Sequence, residues 1–170
     1  MAPGPSADQL NQLITLAASA PDHGQLSPWR FIEIPAHKRA QLGEVFASAL
    51  RDRDAMAAPA QLDSAREKAQ HAPLLLVAVL RDAASQDGIP SCEKWIALGA
   101  ALQNVLLGAT ALGLGAGLSS GRALASAPMR AFLRLAPDEQ AACFVSLGTV
   151  GAQKSRQAGR RPPQALLCRL

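Results

Sequence analysis

From Trp95 to Ser120 the sequence carries no charged side chain. A run of that length without charge has two ways to be stable. It can cross a bilayer, which takes about 20 apolar residues, or it can form a helix enclosed by protein. The residues themselves decide against the bilayer. Gln103 and Asn104 lie mid-run, Gly and Ala predominate, and neither an aromatic belt nor a basic flanking loop follows. Glu93 to Leu112 is therefore predicted to be a long helix in a core or in an interface between two copies of the chain. Small residues at Gly99, Ala100, Gly108 and Ala109 allow another backbone to approach it closely.

The run ends in Gly113-Leu-Gly-Ala-Gly-Leu118-Ser119-Ser120-Gly121. This has the look of a nucleotide-binding glycine fingerprint, but it follows a helix and enters a strand. That mechanism needs the reverse order. A helix C-cap at Gly113 leading into a glycine-rich strand is the plain reading.

The rest of the chain alternates helices and strands. Met1–Pro5 is a flexible lead. Ser6 with Gln9 forms a capping box for a helix whose apolar face is Leu10, Leu13, Ile14 and Ala17. Trp29–Ile34 reads as a strand stopped by Pro35. His37 to about Ala57 is predicted helical, with Leu42, Val45, Phe46, Ala49 and Leu50 inward and its charges on the other face, without assigned chemistry. Gln61–His71 follows as a second short helix that ends near a surface histidine. Pro73–Leu80 is a continuous apolar run, suited to a central strand covered on both faces. Arg81–Pro90 is a polar loop. Ala127–Leu133 is a short helix with Pro128 at its start. Asp138–Gln140 is a turn, and Ala141–Leu147 a buried strand closed by Gly148-Thr149. Neither repeat nor linker is evident, so residues 1–170 are expected to form one domain, with 150–170 an extended arm.

With 49% hydrophobic and 18% charged residues, the chain is expected to be globular. Its net charge of +4 owes much to the tail, with Lys154, Arg156, Arg160, Arg161 and Arg169. Aromatic residues are only 4% and Tyr is absent, so there are few platforms for stacking bases. Nucleic acid is not expected as a partner; anionic small molecules suit the charge better. Cys92, Cys143 and Cys168 are widely spaced and fit reduced thiols in a cytoplasmic setting. Met1–Ser6 lacks the basic and apolar regions of a signal peptide. No nucleophile and base, and no acid pair, is placed by motif. That suits an enzyme whose cofactor carries the chemistry.

Before the first strand stands Ala20-Pro21-Asp22-His23-Gly24-Gln25-Leu26-Ser27-Pro28-Trp29-Arg30-Phe31. Two prolines fix backbone angles on either side of an acid and an imidazole, an arrangement that serves equally as a tight connection or a ligand grip. Ala-Pro-Asp-His-Gly followed by Pro-Trp-Arg-Phe resembles the flavin-contacting loop of the nitroreductase family, in particular its short single-domain branch, where Asp-His replaces the usual Ser-Ser. The Gln103-Asn104 helix, the Gly-x-Gly entry to a strand and the strand-Leu-Gly-Thr ending extend the resemblance from about Leu10 to Thr149.

The resemblance implies an α+β, three-layer fold. Its central, mostly antiparallel sheet of about four or five strands is flanked by helices, with the long apolar helix at a dimer interface. It implies a homodimeric FMN-dependent oxidoreductase passing electrons from NAD(P)H to a nitroaromatic, a quinone or a similar small electron-poor acceptor. The flavin contacts it implies are Ser19, Asp22 and His23 in the loop, Leu118, Ser119 and Ser120 at the strand end, and Arg161 reaching the flavin phosphate. Family members usually begin with an Arg-Arg-Ser-x-Arg segment that clasps that phosphate, and Met1–Pro5 holds no basic residue. Losing such contacts weakens binding by roughly 1.5–3 kcal/mol per bond. The alternative is therefore a non-catalytic homodimeric ligand-binding or structural protein of the same fold.

Overall fold

A computed structural model describes residues 2–82, 87–151 and 161–168. In chain order these form α1 (Ala7–Ala18), β1 (Trp29–Glu33), α2 (Arg39–Arg53), α3 (Pro59–Glu67), β2 (Leu74–Arg81), α4 (Ser91–Ala111), β3 (Leu114–Ser119), α5 (Ala127–Leu133) and β4 (Glu139–Thr149). Single 3-10 turns lie at His23–Gln25, Ala36–Lys38, Lys68–Gln70, Arg122–Ala125 and Pro163–Leu166.

The four strands make one antiparallel sheet in the order β1-β2-β4-β3. Side chains alternate across it, so each strand of the centre feeds two cores. Leu76, Ala78, Leu80, Cys143, Val145 and Leu147 face α1 and α4, where Leu13, Ala17, Leu98, Ala101 and Val105 complete the cluster. Leu75, Val77, Val79 and Phe144 face the opposite layer with Leu42, Leu124, Met129 and Leu133. Leu75 to Leu80 are all buried, as the unbroken apolar run of β2 requires. The result is the expected α+β three-layer arrangement: α1 and α4, the sheet, then α2, α3 and α5.

Local signals explain the element ends. Ser6 Oγ accepts from the Gln9 N–H at 3.2 Å, and Gln9 Oε1 accepts from the Ser6 N–H at 2.9 Å, the predicted capping box. Gly113 leaves α4 at φ 72°, the left-handed conformation that favours glycine. Three expectations need correction. The second helix begins at Arg39, because Ala36–Lys38 coils as a 3-10 turn after Pro35, and it ends at Arg53. The segment to His71 is divided into α3 and the turn Lys68–Gln70. Glu139 and Gln140 belong to β4 rather than to a turn, since they pair with Arg81 and Leu80.

Helix α4 is packed, not membrane-spanning: no helix of the described residues is long and apolar enough to cross a bilayer. Its small residues divide by role. A Cβ on Gly108 would meet Leu16 Cδ1 at 2.4 Å and Leu13 Cδ2 at 3.0 Å, so this glycine seats α1. Asn104 Nδ2 donates to the Leu16 carbonyl at 3.0 Å, covering a backbone group at the end of α1. Gly99 has no atom within 4 Å of its Cβ position.

Arg39 ties the other layer together. It is buried at 4% exposure, and its guanidinium donates to the carbonyls of Ile34 at 2.7 Å, Ala69 at 2.8 Å and Ala72 at 3.3 Å. Burial lowers its pKa, partly countered by Glu33. These bonds fix the segment around Lys68 and His71 against the start of α2.

Candidate functional site

The loop after α1 is held from within. Ser19 Oγ donates to the Leu16 carbonyl at 2.8 Å and closes α1. Asp22 Oδ2 accepts the Ser27 N–H at 2.6 Å across the turn. His23 Nδ1 donates to Glu93 Oε2 at 2.7 Å, which docks the loop on the first turn of α4. Gly24, Gln25 and Ser27 have φ of 71°, 51° and 43°. The two non-glycine residues persist in that region only because the surroundings hold them.

The first turn of α4 is anchored in turn by Lys94. Its Nζ lies 2.8 Å from Asp87 Oδ2 and 3.5 Å from Asp82 Oδ1, and Ser91 Oγ donates to the other Asp82 oxygen. Burial opposes the charge on Lys94, but the hydrogen bond and charge of Asp87, followed by those of Asp82, outweigh it and leave the pKa raised. A second clamp joins the sheet beyond the loop. Arg30 grips Glu139 with Nε to Oε1 at 2.6 Å and Nη2 to Oε2 at 2.8 Å. The Arg30 hydrogen bond is the main cause that holds the Glu139 carboxyl down at about 2.

The end of β3 is different in kind. Strand β3 is an edge, paired only with β4. Leu118, Ser119 and Ser120 are exposed and line two cavities. The smaller, about 300 Å³, lies toward α4 between Trp95, Gly99 and Cys143. The larger, about 660 Å³, lies toward α2 and α3. Its floor is apolar, with Phe46, Leu50, Leu75 and Phe144. One wall is the backbone of Gly117 to Gly121, and nothing lies within 4 Å of a Cβ position on either of these two glycines. Arg53, Lys68, His71 and Arg122 also line this cavity.

The structure thus brings Leu118, Ser119 and Ser120 together on the larger cavity, and Ser19, Asp22 and His23 together in the loop. It does not join the groups within one chain: neither cavity is lined by Ser19, Asp22 or His23, because the loop is drawn onto the end of α4. Arg161 is exposed and lines neither cavity, while Lys154, Arg156, Arg160 and Arg169 lie outside the described residues. Cys143 is buried, and burial raises its thiol pKa, so it is a wall and not a nucleophile.

Sequence reasoning missed the cations of the cavity. The charges of the second helix were expected on its outer face without chemistry, yet Arg53 reaches the cavity from its last turn. His71 is a surface histidine, as expected, and also borders this space. The available signal was Lys68 and His71 placed just before an apolar strand, and Arg122 directly after Ser119-Ser120-Gly121.

Known proteins share this architecture. The chain is 28% identical over 150 residues to the Escherichia coli K12 protein named "Putative NAD(P)H nitroreductase YdjA", covering 86% of this chain and 79% of that one. Its fold matches the FMN and NADPH-dependent nitroreductase NfnB of a Sphigopyxis strain with a TM-score of 0.79 at 15% identity, over 100% of this chain and 92% of that one. It also matches a Desulfovibrio desulfuricans protein solved in complex with FMN, with a TM-score of 0.72 at 24% identity, over 100% and 88% of the two chains. A model of the nitroreductase family matches residues 1–149, and with this sheet order and helix layering the chain belongs to that family.

Proposed function

We infer that this chain is an FMN-dependent oxidoreductase that works as a homodimer and passes electrons from NAD(P)H to a small electron-poor acceptor such as a nitroaromatic or a quinone. The observation that carries this reading is the larger cavity. Its volume of about 660 Å³ falls in the range of ligand sites. It joins an apolar floor to an open glycine backbone and a cationic rim, the three surfaces that a flat ring system bearing a phosphate requires. When bound there, FMN supplies reversible two-electron carriage between nicotinamide and acceptor. Phe46, Leu50, Leu75 and Phe144 would give a bound ring an apolar, water-excluding surface. Ser119 and Ser120 bring small side chains and hydrogen-bonding groups to its edge. The names of the relatives above support the choice of both FMN and NAD(P)H.

The exposed face of α4 supports the homodimer. Trp95, Ile96 and Leu107 are 41%, 72% and 59% exposed on one helical stripe that also carries the open Gly99. An apolar stripe of this kind marks an interface. A second copy across it supplies its own Asp22-His23 loop to a site built from both subunits.

The test is a visible absorption spectrum of the purified protein, with FMN added and then NADH or NADPH under anaerobic conditions. One tightly bound FMN per subunit, bleached by either nucleotide, is expected. A colourless protein that leaves added FMN unshifted would overturn the reading in favour of the non-catalytic alternative.

A further inference from the structure

We propose that Arg53, Lys68 and Arg122 form the phosphate anchor of the larger cavity, an assignment that rests on the flavin reading above. The three come from separate elements: the last turn of α2, the 3-10 turn after α3 and the 3-10 turn after β3. All three line the same cavity, and its described lining contains no carboxylate. Among the described residues none of the three has an ion-pair partner. Arg30, Arg66 and Lys94 are paired with acids, while Lys38, Arg51, Arg81, Arg130, Arg134 and Arg161 lack an ion pair among the described residues as these three do, so what distinguishes Arg53, Lys68 and Arg122 is the cavity they share. Three uncompensated positive groups around one concavity raise the local potential for an anion. Two guanidiniums and an ammonium match a phosphate monoester of charge roughly −1.5 to −2 at neutral pH.

Flavin fluorescence titrations separate the anchor from the ring site. The intact chain is titrated with FMN and with riboflavin, which shares the ring and lacks the phosphate. The wild type is expected to bind FMN on the order of 100-fold more tightly than riboflavin, since charge-assisted bonds each contribute about tenfold or more. The double variant Arg53→Gln/Arg122→Gln is expected to lose most of that preference, with riboflavin affinity unchanged within about twofold and a shallower salt dependence of FMN binding. Arg53→Lys/Arg122→Lys should retain an intermediate preference. Equal wild-type affinity for the two flavins overturns the anchor and leaves the flavin reading standing. Absence of binding for both overturns both. If the Gln variant holds FMN normally but its flavin-loaded form binds NADPH more weakly, the cations serve the nicotinamide nucleotide and the anchor is overturned. A melting curve for each variant confirms folding.

Discussion

In the loop from Asp22 to Ser27, Asp22 holds a backbone N–H and His23 holds Glu93. Around the end of β3, Arg53, Lys68 and Arg122 have no acidic partner among the described residues. Both regions carry residues that resemble family flavin contacts, but they spend their polar groups differently. The loop uses them to fix its own shape, including left-handed Gln25 and Ser27. The cavity leaves them without acidic partners beside apolar side chains, which is why we propose that a ligand's phosphate meets them. The loop's polar groups are taken up by architecture, whereas the exposed cations of the cavity keep only water as a partner and remain available to an anion.

The largest effects are expected on the cavity side. Arg39→Ala leaves three carbonyls without their buried donor. We expect a loss of about 3 kcal/mol in urea unfolding, together with weaker FMN binding as the Lys68–His71 segment loosens. Gly43→Val acts on the same wall. A Cβ at this position already meets the Arg66 carbonyl oxygen at 3.0 Å and Arg66 Cα at 3.3 Å, and the backbone of α3 cannot rotate away. Destabilisation of about 2 kcal/mol is expected, and a stability equal to wild type would show that α2 and α3 are less tightly seated.

Acid acts on the loop side. Glu139 titrates at about 2 in the fold against 4.5 ordinarily, and its partner Arg30 is the second residue of the strand that leaves the loop. The unfolded chain takes up this proton first as pH falls. The clamp's contribution is therefore complete above about pH 4.5 and is lost as pH falls through 2. Urea midpoints from pH 6 to pH 2.5 should fall less steeply for Glu139→Gln than for wild type. The smallest effect is expected from Asp22→Ala, about 1 kcal/mol for the lost bond to the Ser27 N–H. Hydrogen exchange should show faster opening of residues 22–27 with the cavity segment unchanged. Equal loosening of both would mean that the two regions are one cooperative unit.

Much of the fold was legible because it rests on local rules. The apolar run of β2, the Ser6 capping box and the Gly113 cap each state their structure within a few residues. The α4 run was legible in its burial, and Gln103-Asn104 was rightly read against a membrane span; Asn104 spends its amide on α1. The loop and strand-end residues came from the family resemblance. That they stand in two separate groups was not legible, because the His23–Glu93 bond joins positions distant in sequence. The cavity cations were hidden for the same reason. Arg53, Lys68 and Arg122 look like ordinary solvated charges until the fold sets α2, α3 and β3 around one space.

The central claim is that FMN occupies the cavity beside β3. Gly121 has φ 172°, which any residue adopts, and no atom lies within 4 Å of its Cβ position, so Gly121→Trp adds bulk at the wall without a clash at its root. The most direct measurement is an FMN fluorescence titration of this variant beside wild type, with a melting curve for each. An unchanged melting temperature and loss of FMN binding are expected. A variant that folds normally and binds FMN as tightly as wild type would place the flavin elsewhere and contradict it.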